Sequence, residues 1–117
     1  MSKVLFLTRD SHLSEQLPRI FAELDLEVEA SHDANLIAHQ SATGNWEAVI
    51  LDLDIFSSEE QIKGAIHSLP SPKLTIMLVP TRLRHLEASA RMTGALVLHK
   101  PATIGEIGLG LRILLKR

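Results

Sequence analysis

Three places along the chain carry residue types that could do chemistry. Asp52 closes the apolar run Ala48-Val49-Ile50-Leu51 and is followed by Leu53 and Asp54. A carboxylate set against such a run is costly to bury unless a cation or hydrogen bonds meet it. Lys100, followed by Pro101, stands just past a second run, Ala95–Leu98, and is a cation of the kind Asp52 would need. Thr8, Arg9 and Asp10 follow a third run, Val4–Leu7. The Arg9 guanidinium could pair with Asp52 or Asp54 through a fork that suits a carboxylate. Asp10 is of the type that caps a helix, and a cap is the favoured reading over a metal ligand.

Other chemistries fit less well. The chain has no cysteine, which excludes a disulfide framework, a zinc ribbon and thiol catalysis. The histidines His12, His32, His39, His67, His85 and His99 form no HExxH pair and no close triad with a carboxylate, and His67 and His85 read as surface residues. Twelve Lys+Arg against fourteen Asp+Glu gives a formal charge of −2 with no basic block, so nucleic acid is not an expected ligand. Apolar runs are too short for a signal-peptide core or a membrane span, and a cytoplasmic location is expected.

The elements that must position these residues alternate in type. Short, β-rich apolar runs occur at Val4–Leu7, Glu27–Ala30 (weak), Ala48–Leu53, Leu74–Val79 and Ala95–Leu98. Several are apolar at consecutive positions, as in parallel strands covered on both faces. Between them lie stripes with helical spacing. The first is Leu13, Leu17, Ile20, Phe21 and Leu24, with Ser14 as the cap that best accommodates Pro18. A weaker helix is expected over Ala34–Ala42, ending at Thr43-Gly44. Ile62, Ala65, Ile66 and Leu69 follow a capping-box pattern at Ser57-Ser58-Glu59-Glu60. Leu83, Leu86 and Ala90 follow Pro80, with Thr81 as the expected N-cap. Ile104, Ile107, Leu111 and Leu114 are opened by Thr103 with Glu106 three residues on.

Five strand–helix units in 117 residues read as one domain, 1–117, with a doubly wound α/β fold. In the order 2-1-3-4-5, strands three and five end on one rim, where ligands gather in such sheets. That places Thr8, Arg9, Asp10, Asp52, Asp54, Val79 and Lys100 around one pocket.

The chain resembles a response-regulator receiver domain of the CheY-like type, from Lys3 to the C-terminus. Lys3-Val4-Leu5-Phe6-Leu7 is similar to the family's first strand. Glu47 to Leu53 is similar to the third, with Asp52 at the phosphoacceptor. Leu98-His99-Lys100-Pro101 is similar to the end of the fifth, and Thr103-Ile104-Gly105-Glu106-Ile107 to the start of the closing helix. The resemblance implies phosphoryl transfer from a phosphohistidine to Asp52. It also implies a divalent metal held by Asp52 and an acidic pair after the first strand, and a product paired with Lys100. Cations are needed because donor group and acceptor are both anionic.

Several positions depart from that pattern. Thr8 and Arg9 stand at the acidic pair, and neither suits a hard cation such as magnesium. Val79 stands at the switch hydroxyl and Val97 at the switch aromatic, while Phe56 and Glu60 stand at the Pro and Gly of the loop after the phosphoacceptor. The stretch from Gly94 to Lys100 is one residue shorter than usual. The chain therefore resembles a degenerate, or pseudo-, receiver. It is expected to act by protein–protein contact in a two-component or phosphorelay-type pathway, with impaired or absent phosphorylation at Asp52, no enzymatic activity and no cofactor. Its expected partners are a sensor kinase, a phosphotransfer protein or a downstream signalling protein. The last strand and last two helices offer a face for a homodimer, with Leu109 and Ile113 on the outer face of the closing helix.

Two alternatives stand beside this reading. One is a phosphorylation-competent receiver that uses magnesium held by Asp10 and Asp52. The other is a flavodoxin-like domain binding cobalamin or FMN. Asp10-Ser11-His12 matches part of a cobalamin motif, but the glycine it wants is Glu15. Thr8–Ser14 holds no glycine to let backbone amides approach an FMN phosphate.

Overall fold

The computed structural model describes residues 2–23, 25–36 and 46–116. Among them the chain forms β1 (Ser2–Leu7), α1 (Ser11–Ala22), β2 (Leu26–Ser31), β3 (Ala48–Asp52), α2 (Glu59–His67), β4 (Thr75–Val79), α3 (Glu87–Met92), β5 (Leu96–His99) and α4 (Ile104–Leu115). Short 3-10 turns precede α3 (Thr81–Leu86), follow β3 (Leu53–Ile55) and precede β4 (Pro72–Leu74). All strand pairings are parallel, and the sheet order is β2-β1-β3-β4-β5. The expected helix over Ala34–Ala42 and its stop at Thr43-Gly44 lie outside the described residues from position 37 onward.

The sequence pattern follows from two covered faces. Side chains alternate across a strand, so Leu5 and Leu7 enter a core with Leu51, Met77, Val79 and Val97 beneath α2 and α3. Val4 and Phe6 enter a second core with Ile50, Ile76 and Leu78 beneath α1 and α4. Hence β3 and β4 are buried at every position. Full burial of one such aliphatic side chain stabilises by about 1.5–3 kcal/mol. The edge strand β2 buries Leu26 and Val28 but exposes Glu27 and Glu29. Those carboxylates weaken its apolar signal and discourage pairing at the open edge.

Helix starts differ from expectation in two places. Helix α1 begins at Ser11, capped by Asp10 rather than Ser14: the Asp10 carboxylate accepts the amides of His12 and Leu13 at 3.0 and 3.2 Å. Pro18 therefore lies inside the helix, where its missing N–H removes one backbone bond. Leu17 and Phe21, both buried, anchor the helix on either side of it, while Ile20 stays partly exposed. Thr81 caps nothing, because the chain enters the 3-10 turn from Pro80 without a side-chain cap. Leu83, Leu86 and Ala90 are nonetheless all buried.

Ser58 caps α2 by accepting the Gln61 amide, and Gln61 in turn accepts from the Ser57 amide. Thr103 and Glu106 form the reciprocal capping box that opens α4. This last helix packs close against the sheet at Gly110. A β-carbon on Gly110 would come within 3.0 Å of Ile76 Cδ1 and 3.1 Å of Leu96 Cδ2. The glycine that weakens the helix's own propensity thus permits the contact that compensates for it.

Candidate functional site

The carboxyl ends of β1, β3, β4 and β5 converge on Asp52. Its side chain is 1% exposed and its charge is met from three directions. Oδ2 accepts the Thr8 hydroxyl at 2.9 Å and the Lys100 ammonium at 2.9 Å. Oδ1 accepts the Asp54 amide at 3.0 Å as the chain turns out of β3. Thr8 is itself buried, and its oxygen also accepts the Asp10 amide at 3.0 Å. One hydroxyl therefore ties the end of β1 to Asp52 and to the loop leading into α1. Among the described residues no buried side-chain nitrogen or oxygen lacks a partner.

Lys100 is placed by its backbone as well as its charge. Its amide donates to the Val79 carbonyl at 2.9 Å, continuing the β4–β5 ladder past His99. From there Nζ reaches both Asp52 Oδ2 and Asp54 Oδ2 at 2.9 Å. Burial of the lysine disfavours its charged form, but the hydrogen bonds and charges of Asp52 and Asp54 prevail and raise its pKa. Burial likewise pushes the Asp54 carboxyl up, and Lys100 and Arg82 outweigh it and hold the carboxyl below its ordinary value.

Arg82 is the residue that the sequence reading missed. It lies in the 3-10 turn after β4, three residues beyond Val79, and its Nε and Nη2 donate to Asp54 Oδ1 at 3.1 and 2.5 Å. The rim position after β4 was its signal in the sequence, but the spacing there pointed no further than Thr81. Asp54, for its part, faces the pocket and joins the two cations.

Arg9 lies elsewhere. It is exposed, and among the described residues it has no hydrogen bond or ion pair with Asp52 or Asp54. It lines two open clefts of about 670 and 550 Å³ toward His32 and the end of β2. The expected Arg9 fork on these carboxylates is absent: Thr8 and Lys100 hold Asp52, and Arg82 reaches Asp54 from the turn after β4. Val79 and Val97, at the switch positions, are buried together in the core beneath α2 and α3. Leu109 and Ile113 are 59% and 58% exposed on the outer side of α4.

The metal implied by the receiver resemblance does not fit these residues. Thr8 spends its hydroxyl on Asp52, Arg9 is a cation, and the Asp10 carboxylate is engaged by two amides at the start of α1. Among the described residues no group of three or more His, Cys, Asp or Glu side chains is placed to hold a metal ion. No helix among them is long and apolar enough to cross a membrane.

No family model and no curated protein matches the chain. Solved structures do. The receiver domain of a Francisella response regulator superposes with a TM-score of 0.79 at 18% identity, covering 100% of this chain and 98% of that one. A response regulator receiver protein from Burkholderia phymatum gives 0.73 at 16% identity, covering 99% and 96%. The receiver domain of a sensor histidine kinase from Pseudomonas aeruginosa, a structure with a magnesium ion coordinated in its active site cleft, gives 0.74 at 13% identity, covering 99% and 98%. With its parallel sheet in the order β2-β1-β3-β4-β5 and its Asp52–Lys100 pair at the strand ends, the chain has the fold of response-regulator receiver domains.

Proposed function

We propose that the chain is a receiver-like signalling module of a two-component or phosphorelay-type pathway that works by protein–protein contact, without metal-dependent phosphorylation of Asp52 and without a cofactor. The observation that carries this reading is the state of Asp52. Phosphoryl transfer to a carboxylate brings two anions together and needs a divalent cation to offset their repulsion. Here Oδ2 is held by Thr8 and Lys100 and Oδ1 by the Asp54 amide. By the resemblance to receivers, Thr8 and Arg9 stand where metal-binding carboxylates would.

The face we assign to partner contact is the outer side of α4, where Leu109 and Ile113 lie one turn apart and expose apolar surface to water. The partner is a signalling protein or a second copy of this chain. Leu109→Glu with Ile113→Glu is expected to abolish self-association in sedimentation experiments, or partner binding, with the circular dichroism spectrum unchanged.

The decisive experiment is incubation with acetyl phosphate or phosphoramidate and magnesium, followed by intact-mass measurement. No added phosphate is expected. Stoichiometric, magnesium-dependent phosphorylation that disappears in Asp52→Asn overturns the proposal and restores an active receiver.

A further inference from the structure

From Asp52 a ladder of alternating charge runs outward through Lys100 and Asp54 to Arg82. Its outer rung is the only one in it to reach the segment after β4. That segment, Thr81–Leu86, is a 3-10 turn kinked at Leu83, whose φ and ψ of −111° and 18° leave the helical range. Only two of its side chains, Leu83 and Leu86, are buried. Its polar ties to the rest of the fold among the described residues are Arg82 on Asp54 and His85 on Glu59 at the start of α2.

We infer that Asp54 and Arg82 form a latch that holds the post-β4 segment against the end of β3 independently of any phosphate. The inference deepens the proposed function and rests on it, since a segment positioned by the chain's own carboxylate needs no modification of Asp52. Asp54 is well prepared to be the fixed half. Its amide donates to Asp52 Oδ1 and its Oδ2 accepts Lys100, so the carboxylate is oriented before Arg82 arrives. Arg82 is the mobile half, 60% exposed and donating two N–H groups to one oxygen. A pair this exposed adds little to global stability. Its effect shows most in local opening, whose free energy is small where buried contacts are few and hydrogen bonds exposed, as in this segment. Latched, Leu83 and Leu86 stay in the core with Ile62, Ile66 and Val79; released, the kinked turn has, among the described residues, those two side chains and the His85–Glu59 contact to keep it in place.

Amide hydrogen exchange, followed residue by residue, tests this with Arg82→Ala, Asp54→Ala and the double variant. In each single variant the amides of Leu83 through Leu86 are expected to exchange about threefold faster than in the parent, the size of an exposed ion pair, with the sheet amides accelerated by no more than that factor. The double variant should be no faster than either single one. Formate, supplied as a separate carboxylate, should slow exchange again in Asp54→Ala but not in the double variant. Unchanged rates in Arg82→Ala overturn the latch, as does acceleration of the sheet amides that exceeds that of Leu83 through Leu86. Arg82 is exposed, so its replacement leaves folding intact and the result readable even if Asp54→Ala folds poorly. Unchanged rates in a chain that acetyl phosphate fails to modify defeat the latch and leave the proposed function standing, whereas phosphorylation of Asp52 removes the foundation of both.

Discussion

The Thr8 hydroxyl donates to Asp52 Oδ2 at 2.9 Å from a position where the resemblance to receivers calls for an acidic metal ligand. A neutral donor at that point does part of what a cation would do, since it stabilises the carboxylate without binding anything. The same oxygen accepts the Asp10 amide, so the substitution also fixes the entry into α1.

Restoring carboxylates at this position should reverse that arrangement. Thr8→Asp with Arg9→Asp puts a buried carboxylate beside Asp52 and removes the donor between β1 and β3. The variant is expected to melt well below the parent in EDTA, because like charges in a buried site repel. Millimolar magnesium should then raise its melting temperature through selective binding to the folded state, while leaving the parent's unchanged. Magnesium-insensitive melting of the variant would show that the pocket geometry, beyond these two side chains, has departed from a metal site.

The pairing of Asp52 with Lys100 makes a quantitative claim about coupling. Asp52→Ala leaves the lysine, a partly buried cation, with Asp54 alone, and removal of the buried partner of such a pair is costly. A loss of more than about 1 kcal/mol in urea unfolding is expected, and Lys100→Ala combined with it should cost less than the sum of the single changes. Arg9→Ala should be within about 0.5 kcal/mol of neutral and additive with Asp52→Ala, as for an exposed residue without a shared partner. Additivity in the Asp52–Lys100 cycle would remove Lys100 as an energetic partner of Asp52.

Two glycines in helices should respond to alanine with opposite signs. At Gly64 in α2 nothing lies within 4 Å of a new β-carbon, so the gain in helix propensity, about 0.5–1 kcal/mol, is realised. At Gly110 in α4 the β-carbon meets Ile76 and Leu96 at 3.0 and 3.1 Å. Overpacking of about 1–3 kcal/mol then exceeds the propensity gain. Thermal melts of Gly64→Ala and Gly110→Ala check both signs, and a stabilised Gly110→Ala would mean that α4 can move off the sheet without penalty.

Much of this architecture is legible in the sequence for a simple reason. Strands β1, β3 and β4 are covered on both faces, so their apolar runs are continuous, and the sheet order then brings the ends of β3 and β5 to one rim. Edge strand β2 is faint because Glu27 and Glu29 face water. What periodicity does not encode is the direction of a side chain in a turn. Arg9 and Arg82 both lie next to the rim, and spacing alone ranks Arg9 first. The fold leaves Arg9 exposed with no bond to either carboxylate among the described residues and brings Arg82 onto Asp54. Ser14 was the expected cap because Pro18 is unfavourable in a helix interior, and burial of Leu17 and Phe21 overrides that local preference.

The shifted groups of the ladder set its pH range. Asp54 has its pKa lowered in the folded chain, with burial opposing and Lys100 and Arg82 prevailing. Its contribution to stability is therefore present above the unfolded carboxylate value and is lost as pH falls through the lower, folded one. Lys100 has its pKa raised, so its contribution is present below the unfolded lysine value and is lost as pH rises through the higher, folded one. Between about pH 5 and pH 9 both groups keep their charge and the ladder should be insensitive to pH. The quantity to measure is the difference in melting temperature between the parent and Asp54→Asn, which cancels titrations common to both chains, including that of Glu59. This difference should be flat across that interval and shrink progressively below about pH 4, where Asp54 begins to protonate in the unfolded chain. At the alkaline end, the difference between the parent and Lys100→Met should shrink above about pH 10. A parent-to-Asp54→Asn difference that grows on acidification would have the wrong sign for a carboxylate held ionised by two cations, and would show that Asp54 is not part of the ladder in solution.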